Sequence, residues 1–183
     1  MRLKYILVLG AVVVALGGFF VYLRSQKPPQ AAQQTDYAWT LDSEELLRVS
    51  IRLPRDGKSQ TFFRATDGSW HFDDQKQTAV DKDRWGGIPV LLASGPRGKK
   101  ILVRDASQEE FDRFGLAQPR MVMTISTSKG GSLRVNIGDN VPDASSFYMQ
   151  VPETRDVAVV DYSWYYVFDR LVTEPPYPAT ATR

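Results

Sequence analysis

His71 is the only histidine in a chain that contains no cysteine. Any nucleophilic or general-base chemistry would therefore have to be assembled from His71, hydroxyls and carboxylates. A Ser-His-Asp relay needs a serine on a sharp exposed turn, an imidazole between that serine and a carboxylate, and backbone donors for the oxyanion. Serines and aspartates abound, but none of the serines stands in a Gly-x-Ser-x-Gly elbow. His71 follows Trp70 in an apolar-alternating stretch and reads as a strand residue. The absence of cysteine also excludes disulfides, thiolate metal sites, a cysteine nucleophile and lipid attachment to an N-terminal cysteine.

Carboxylates are the next candidates. Asp73-Asp74 and Asp81-x-Asp83 have the residue type for a hard cation, which takes about six to eight oxygens around one point. Adjacent strand residues point to opposite faces, so Asp73 and Asp74 converge only if the strand has ended. "GDNVPDASS", 138–146, holds Asp139, Asn140 and Asp143 without the glycine and terminal glutamate spacing of a calcium loop, and reads as a turn. In "SGPRGKK", 94–100, Gly95 and Gly98 stand three apart and Lys100 occupies the place of Ser or Thr, so the phosphate-loop spacing fails. Arg97, Lys99 and Lys100 then form a solvated turn. No catalytic residue, cofactor, metal or small-molecule substrate is assigned.

The elements that would position such groups follow from periodicity. "ELLRVSIRLP", 45–54, alternates Leu47, Val49, Ile51 and Leu53 against Arg48, Ser50 and Arg52, the signature of a half-buried strand. "TFFRA" and "SWHFD", separated by Thr66-Asp67-Gly68, complete a three-stranded meander. Asp81 caps a helix carrying Trp85, Ile88, Leu91 and Leu92, which Gly86, Gly87 and Pro89 weaken or divide. "KKILVRD" reads as a strand, and Ser107 with Glu110 has capping-box spacing ahead of a short helix ending at Gly115. "MVMTIST", "SLRVNIG", "SFYMQV" and "DVAVVD" are further strands, and "YSWYYVFDRLV", 162–172, is a helix with Trp164, Val167, Phe168 and Leu171 on one stripe. The expected class is α+β, mainly antiparallel sheet with a few short helices, preceded by one transmembrane helix.

That helix is read from "YILVLGAVVVALGGFFVYL", residues 5–23, nineteen residues without a charge between Arg2 and Lys4 on one side and Arg24 and Lys27 on the other. The length suits a bilayer core of about 30 Å, and Tyr5, Tyr22, Arg24 and Lys27 fall at its membrane interfaces. The expected organisation is an anchor over 1–24, a polar and Pro-containing linker over 25–36, a domain over 37–172 and a Pro-rich tail over 173–183. Basic residues before the apolar run favour a cytoplasmic N-terminus and place the domain on the outer side of the cytoplasmic membrane. Four of the 23 basic residues and none of the 21 acidic ones lie within residues 1–30, so the rest of the chain is slightly acidic. The pI of about 8.8 thus reflects the flanks of the apolar run, and nucleic acid is excluded as a partner.

The aromatic helix stands apart. Tyr162, Trp164, Tyr165, Tyr166 and Phe168 place five aromatics in seven residues, more than one core stripe requires. Exposed tyrosine is favoured at protein interfaces. Tyr162, Tyr165 and Tyr166, with Pro175, Pro176 and Tyr177 from the tail, form the candidate partner interface.

Six segments carry a resemblance: "GSWHF" (68–72), "VDKDRW" (80–85), "FGLAQPRMVMTI" (114–125), "LRVNIGD" (133–139), "FYMQV" (147–151) and "VAVVD" (157–161). In their order and spacing the chain resembles domain-of-unknown-function family 4340 over roughly 40–172. The resemblance implies a membrane-associated bacterial protein. Members are often longer, repeat this unit and neighbour ABC-transporter components of the gliding-motility type. No catalytic residues are assigned in them, so none is carried over here. This chain departs in holding a single unit on a short anchor.

The functional expectation is a non-catalytic, single-pass membrane-anchored accessory or scaffold subunit of a larger bacterial membrane complex, such as a photosynthetic or respiratory assembly. Its partners would be the lipid bilayer through residues 5–23 and other subunits of the complex. The alternatives are an accessory component of an ABC-transporter or gliding-motility-type envelope system, and an extracytoplasmic ligand-binding module or hydrolase built around His71 or several carboxylates.

Overall fold

In β1 (Leu46–Leu53) every second residue from Val49 onward is buried while Arg48 and Arg52 stay exposed, and this alternation lets the strand line a core on one side only. The computed structural model of the chain describes residues 38–96 and 100–178. The chain divides between Thr35 and Asp36, and every element below belongs to the second unit. The anchor, the linker with Tyr5, Tyr22, Arg24 and Lys27, the basic residues Arg97 and Lys99, and positions 179–183 lie outside the described residues. Among the described residues no helix is long and apolar enough to cross a membrane.

After β1, a 3-10 turn at Pro54–Asp56 closes on Gly57, whose φ is +63°, and leads into β2 (Lys58–Arg64) and β3 (Trp70–Phe72). Helices α1 (Lys82–Trp85) and α2 (Ile88–Ser94) follow, then β4 (Lys100–Val103), α3 (Gln108–Arg113), β5 (Met121–Thr127), β6 (Ser132–Asn140), β7 (Ser146–Gln150), β8 (Val157–Asp161) and α4 (Tyr162–Thr173). The eight strands form one sheet in the order β3-β2-β1-β5-β6-β7-β8-β4. Every neighbouring pair runs antiparallel.

The expected α+β class and meander are present, and the helix expected from Asp81 is cut in two at Gly86-Gly87. Asp81 accepts from the backbone N–H groups of Asp83 and Arg84 at 3.0 Å, which satisfies two donors at the start of α1. The last helix runs to Thr173, and the described residues after it stay on the domain: the Asp81 N–H donates to the Pro176 carbonyl at 2.8 Å and Pro176 is buried.

One face of the sheet buries Val49, Ile51, Phe62, Met123, Ile137 and Met149 against Trp85, Leu92, Trp164 and Phe168 from α1, α2 and α4. A smaller cluster sits on the opposite face, where Phe111, Phe114 and Leu116 cover Val157 and Tyr148. Phe62 is fully buried, with its ring centroid 5.1 Å from Phe72 and 4.6 Å from Trp85. Phe62→Ala removes that ring from a closed site and is expected to cost about 3–5 kcal/mol. Urea unfolding measures it, and a loss below about 1 kcal/mol would show that this core is loosely packed.

Candidate functional site

The sharpest motif of the sequence, Phe114-Gly115-Leu116 with Pro119, forms a corner between α3 and β5. The Ser107 hydroxyl accepts from the Glu110 N–H at 3.2 Å and the Glu110 carboxylate accepts from the Ser107 N–H at 2.7 Å, which fixes the start of α3. Gly115 takes a φ of +69°, a conformation open to glycine, and the Leu116 N–H folds back onto the Phe111 carbonyl at 2.8 Å. β6 then reaches the corner: the Asp139 N–H donates to the Phe114 carbonyl at 2.9 Å. The approach is so close that a Cβ on Gly138 would overlap that carbonyl oxygen.

Arg55, from the turn after β1, clasps the corner. It donates through Nη1 to Asp139 at 2.6 Å and through Nε and Nη2 to the Gln118 carbonyl at 3.0 and 2.7 Å. Arg120 donates to the same Asp139 oxygen at 3.3 Å. Partial burial pushes the Asp139 carboxyl up, but hydrogen bonds and charge from the two arginines outweigh it and hold the group below the usual carboxylate range. A carboxylate so engaged is a structural joint rather than a proton carrier. Asp143, four residues further on, is likewise committed, accepting from the Ser145 N–H and hydroxyl at 3.0 and 2.7 Å.

His71 does join a serine and an aspartate, but in an order unsuited to a catalytic relay. The Ser69 hydroxyl donates to Asp67 at 2.6 Å, and its oxygen lies 2.8 Å from His71 Nε2. The other ring nitrogen, Nδ1, faces the Gln77 carbonyl at 2.7 Å. Asp67 thus holds the serine instead of the imidazole, and the single hydroxyl proton is already given to the carboxylate. Hydrogen bonds from the Ser69 hydroxyl and N–H keep the Asp67 carboxyl below its ordinary value. The chain of contacts locks the β2–β3 turn. A groove of about 390 Å³ runs beside it, lined by Ser69, Trp70, Val80 and Trp85.

Two further candidate carboxylates serve local structure. Asp73 pairs with Arg48, and Asp74 accepts from the Thr78 N–H at 3.2 Å. Among the described residues no three His, Asp or Glu side chains converge on a point that would hold a metal ion.

The tyrosines of α4 separate by face. Tyr162 and Tyr166 are 44% and 46% exposed, with rings 6.0 Å apart on the outer side of the helix. Tyr165 turns inward and stacks on Phe147 at 4.0 Å. Burial, reinforced by the nearby Asp169 carboxylate, pushes its hydroxyl up to about 12. The tail residues are bound to the domain itself. Arg84 donates to the Glu174 and Pro175 carbonyls at 2.6 and 3.1 Å, and Tyr177 stacks on Phe72 at 4.1 Å while one side of it stays exposed.

A family model described as a domain of unknown function, DUF4340, matches residues 70–172, more than half of the chain. The chain belongs to the DUF4340 family. The match runs from Trp70 at the start of β3 to Val172 in α4 and contains the corner, the Gly138 approach and His71; β1 and β2, placed within the resemblance by sequence, precede it. Comparison with curated proteins and comparison with solved structures give no match. The Arg55–Asp139–Arg120 joint escaped sequence reading, because its members are 84 and 19 residues apart. The only local sign was an aspartate directly after Gly138.

Because the native Asp139 carboxyl is depressed, its contribution to stability is present above the unfolded carboxylate range and is lost as pH falls through the native value. Asp139 is 40% exposed, so screening limits the contribution to about 1 kcal/mol. Asp139→Asn is therefore expected to be less stable than the native chain at pH 7 and to match it in acid. Thermal unfolding across pH checks this, and a difference that persists unchanged into acid would contradict it.

Proposed function

We propose that this DUF4340 chain is a non-catalytic, single-pass membrane-anchored accessory subunit of a larger bacterial membrane complex, with its folded domain outside the cytoplasm. The observation that carries the reading is the uncharged run over residues 5–23 between two pairs of basic residues. A run of that length suits a membrane helix.

The folded domain supplies a surface for partners. Tyr162 and Tyr166 project from α4, where Tyr166 lines a groove of about 270 Å³ with Val167 and Leu171, and a second groove of about 360 Å³ between α2 and α4 is lined by Val90, Leu91, Trp164 and Val167. Val90 is 63% exposed. Aromatic side chains flanking an apolar groove have the composition of an interface centre. The groups with chemical potential already have structural duties: Asp67, Ser69 and His71 close a turn, and Asp139 joins a corner to a strand. These engagements favour bracing over catalysis.

Extraction of the native membrane in mild detergent, sedimentation on a gradient and mass spectrometry of the co-migrating chains test the reading. A defined set of membrane proteins in constant ratio to this chain is the expected result. A chain that sediments alone would overturn it.

A further inference from the structure

The sheet face opposite α1, α2 and α4 has no helix over β3, β2, β1, β5 and β6 among the described residues. It is built from the polar positions of alternating strands. Arg48 and Arg52 flank Ser50 on β1. Ser50 pairs with Thr124, and Thr124 with Arg134. Arg134 therefore lies two strands from Ser50, about 10 Å away, while Arg48 and Arg52 are about 13 Å apart along their strand. Three guanidiniums rim a floor of short hydroxyls and of Val122, which pairs with Arg52 and is buried.

The charges on this face are unequally matched. Arg48 is paired with Asp73. Among the described residues Arg52 has no ion pair, and Arg134 reaches only the Asn136 side-chain oxygen, at 3.2 Å. The outward aromatic is Phe63, packed against His71 with centroids 5.7 Å apart at the edge. The exposed large hydrophobics lie elsewhere, apart from Leu47 at the bulged start of β1. Surface binding to a bilayer normally combines basic residues with apolar side chains that insert, which this floor lacks. Hydroxyls and arginines instead present donors at fixed spacing, and arginine pairs with carboxylates in a two-pronged geometry.

We propose that this open sheet face binds an acidic segment of a partner subunit, with Asp or Glu carboxylates seated on Arg52 and Arg134 above Ser50 and Thr124. The inference rests on the subunit reading and adds to it a second surface, with a partner of defined charge, separate from the tyrosine face of α4. The chain as a whole carries little net charge, so the attraction is local and is screened by salt over about 10 Å at 0.1 M.

The test places a photo-crosslinking p-benzoyl-phenylalanine at position 124, and separately at position 166, in the full chain in native membranes. Irradiation is followed by gradient sedimentation and mass spectrometry. The expected result at 124 is an adduct with an Asp- and Glu-rich peptide of a co-sedimenting protein. Its yield should fall at least tenfold in R52E/R134E and in the milder R52Q/R134Q, with circular dichroism unchanged. An adduct with lipid alone, an adduct with a peptide lacking acidic residues, or an unchanged yield in both variants would overturn the proposal. A chain that sediments with partners and crosslinks only from position 166 overturns this proposal and leaves the subunit reading standing. A chain that sediments alone overturns both.

Discussion

The pairing of β1 with β5 makes one sheet out of two. On one side lie β3, β2 and β1, a local meander; on the other lie β5, β6, β7, β8 and β4. Nothing short-range joins them, since β5 begins 68 residues after the end of β1 (Leu53 to Met121). Closing so long a connection costs chain entropy, which the seam offsets with a ladder from Leu46↔Thr127 to Arg52↔Val122 and with the Arg55 clasp at its end. Arg55 leaves β1, binds the Gln118 carbonyl just before β5 and meets Asp139 on β6. Three segments distant in sequence are tied at one point.

Once the seam is made, the two faces acquire different characters. The helical face collects the aromatic core, in which Trp39 meets Trp164 edge-on at 5.7 Å and Trp164 lies 4.5 Å from Phe168. Edge-to-face and tilted contacts of this kind add to the burial term. Along the same face the segment after α4 returns to Phe72 and Asp81, so the tail and the first meander become neighbours. The opposite face is covered by α3 and its corner at the β7–β8 end and keeps its arginines and hydroxyls over the remainder. Surfaces of two chemical kinds, aromatic and basic, thereby arise on opposite sides of a single sheet.

What was legible in the sequence is what local physics determines. The alternation in "ELLRVSIRLP" marked β1, the Ser107–Glu110 spacing marked the start of α3, and Gly86-Gly87 with Pro89 foretold the division between α1 and α2. The sorting of tyrosines was half visible: the four-residue spacing of Tyr162 and Tyr166 puts them on one side of a helix, yet which side faces water depends on the sheet beneath. The proximity of Arg134 to Arg48 and Arg52 was not legible, because it follows from the β1–β5–β6 order. Nor was the engagement of the prolines. "TEPPYP" reads as a polar tail, but the Pro176 carbonyl satisfies the Asp81 N–H. The Asp67–Ser69–His71 contacts have the residue types of a relay, and only their order, with serine in the middle, shows that they hold a turn.

The Arg55 clasp on the seam depends on the corner being held against β6, and the backbone approach at Gly138 is the place to test that contact. The measurement is the urea unfolding free energy of Gly138→Ala beside Gly131→Ala, whose added methyl meets only the Thr127 hydroxyl at 3.4 Å. The account predicts a loss of about 3 kcal/mol or more, or failure to fold, at 138 and less than about 1 kcal/mol at 131. A Gly138→Ala chain as stable as the native one would contradict the account, since the corner and β6 would then have room that this structure denies them.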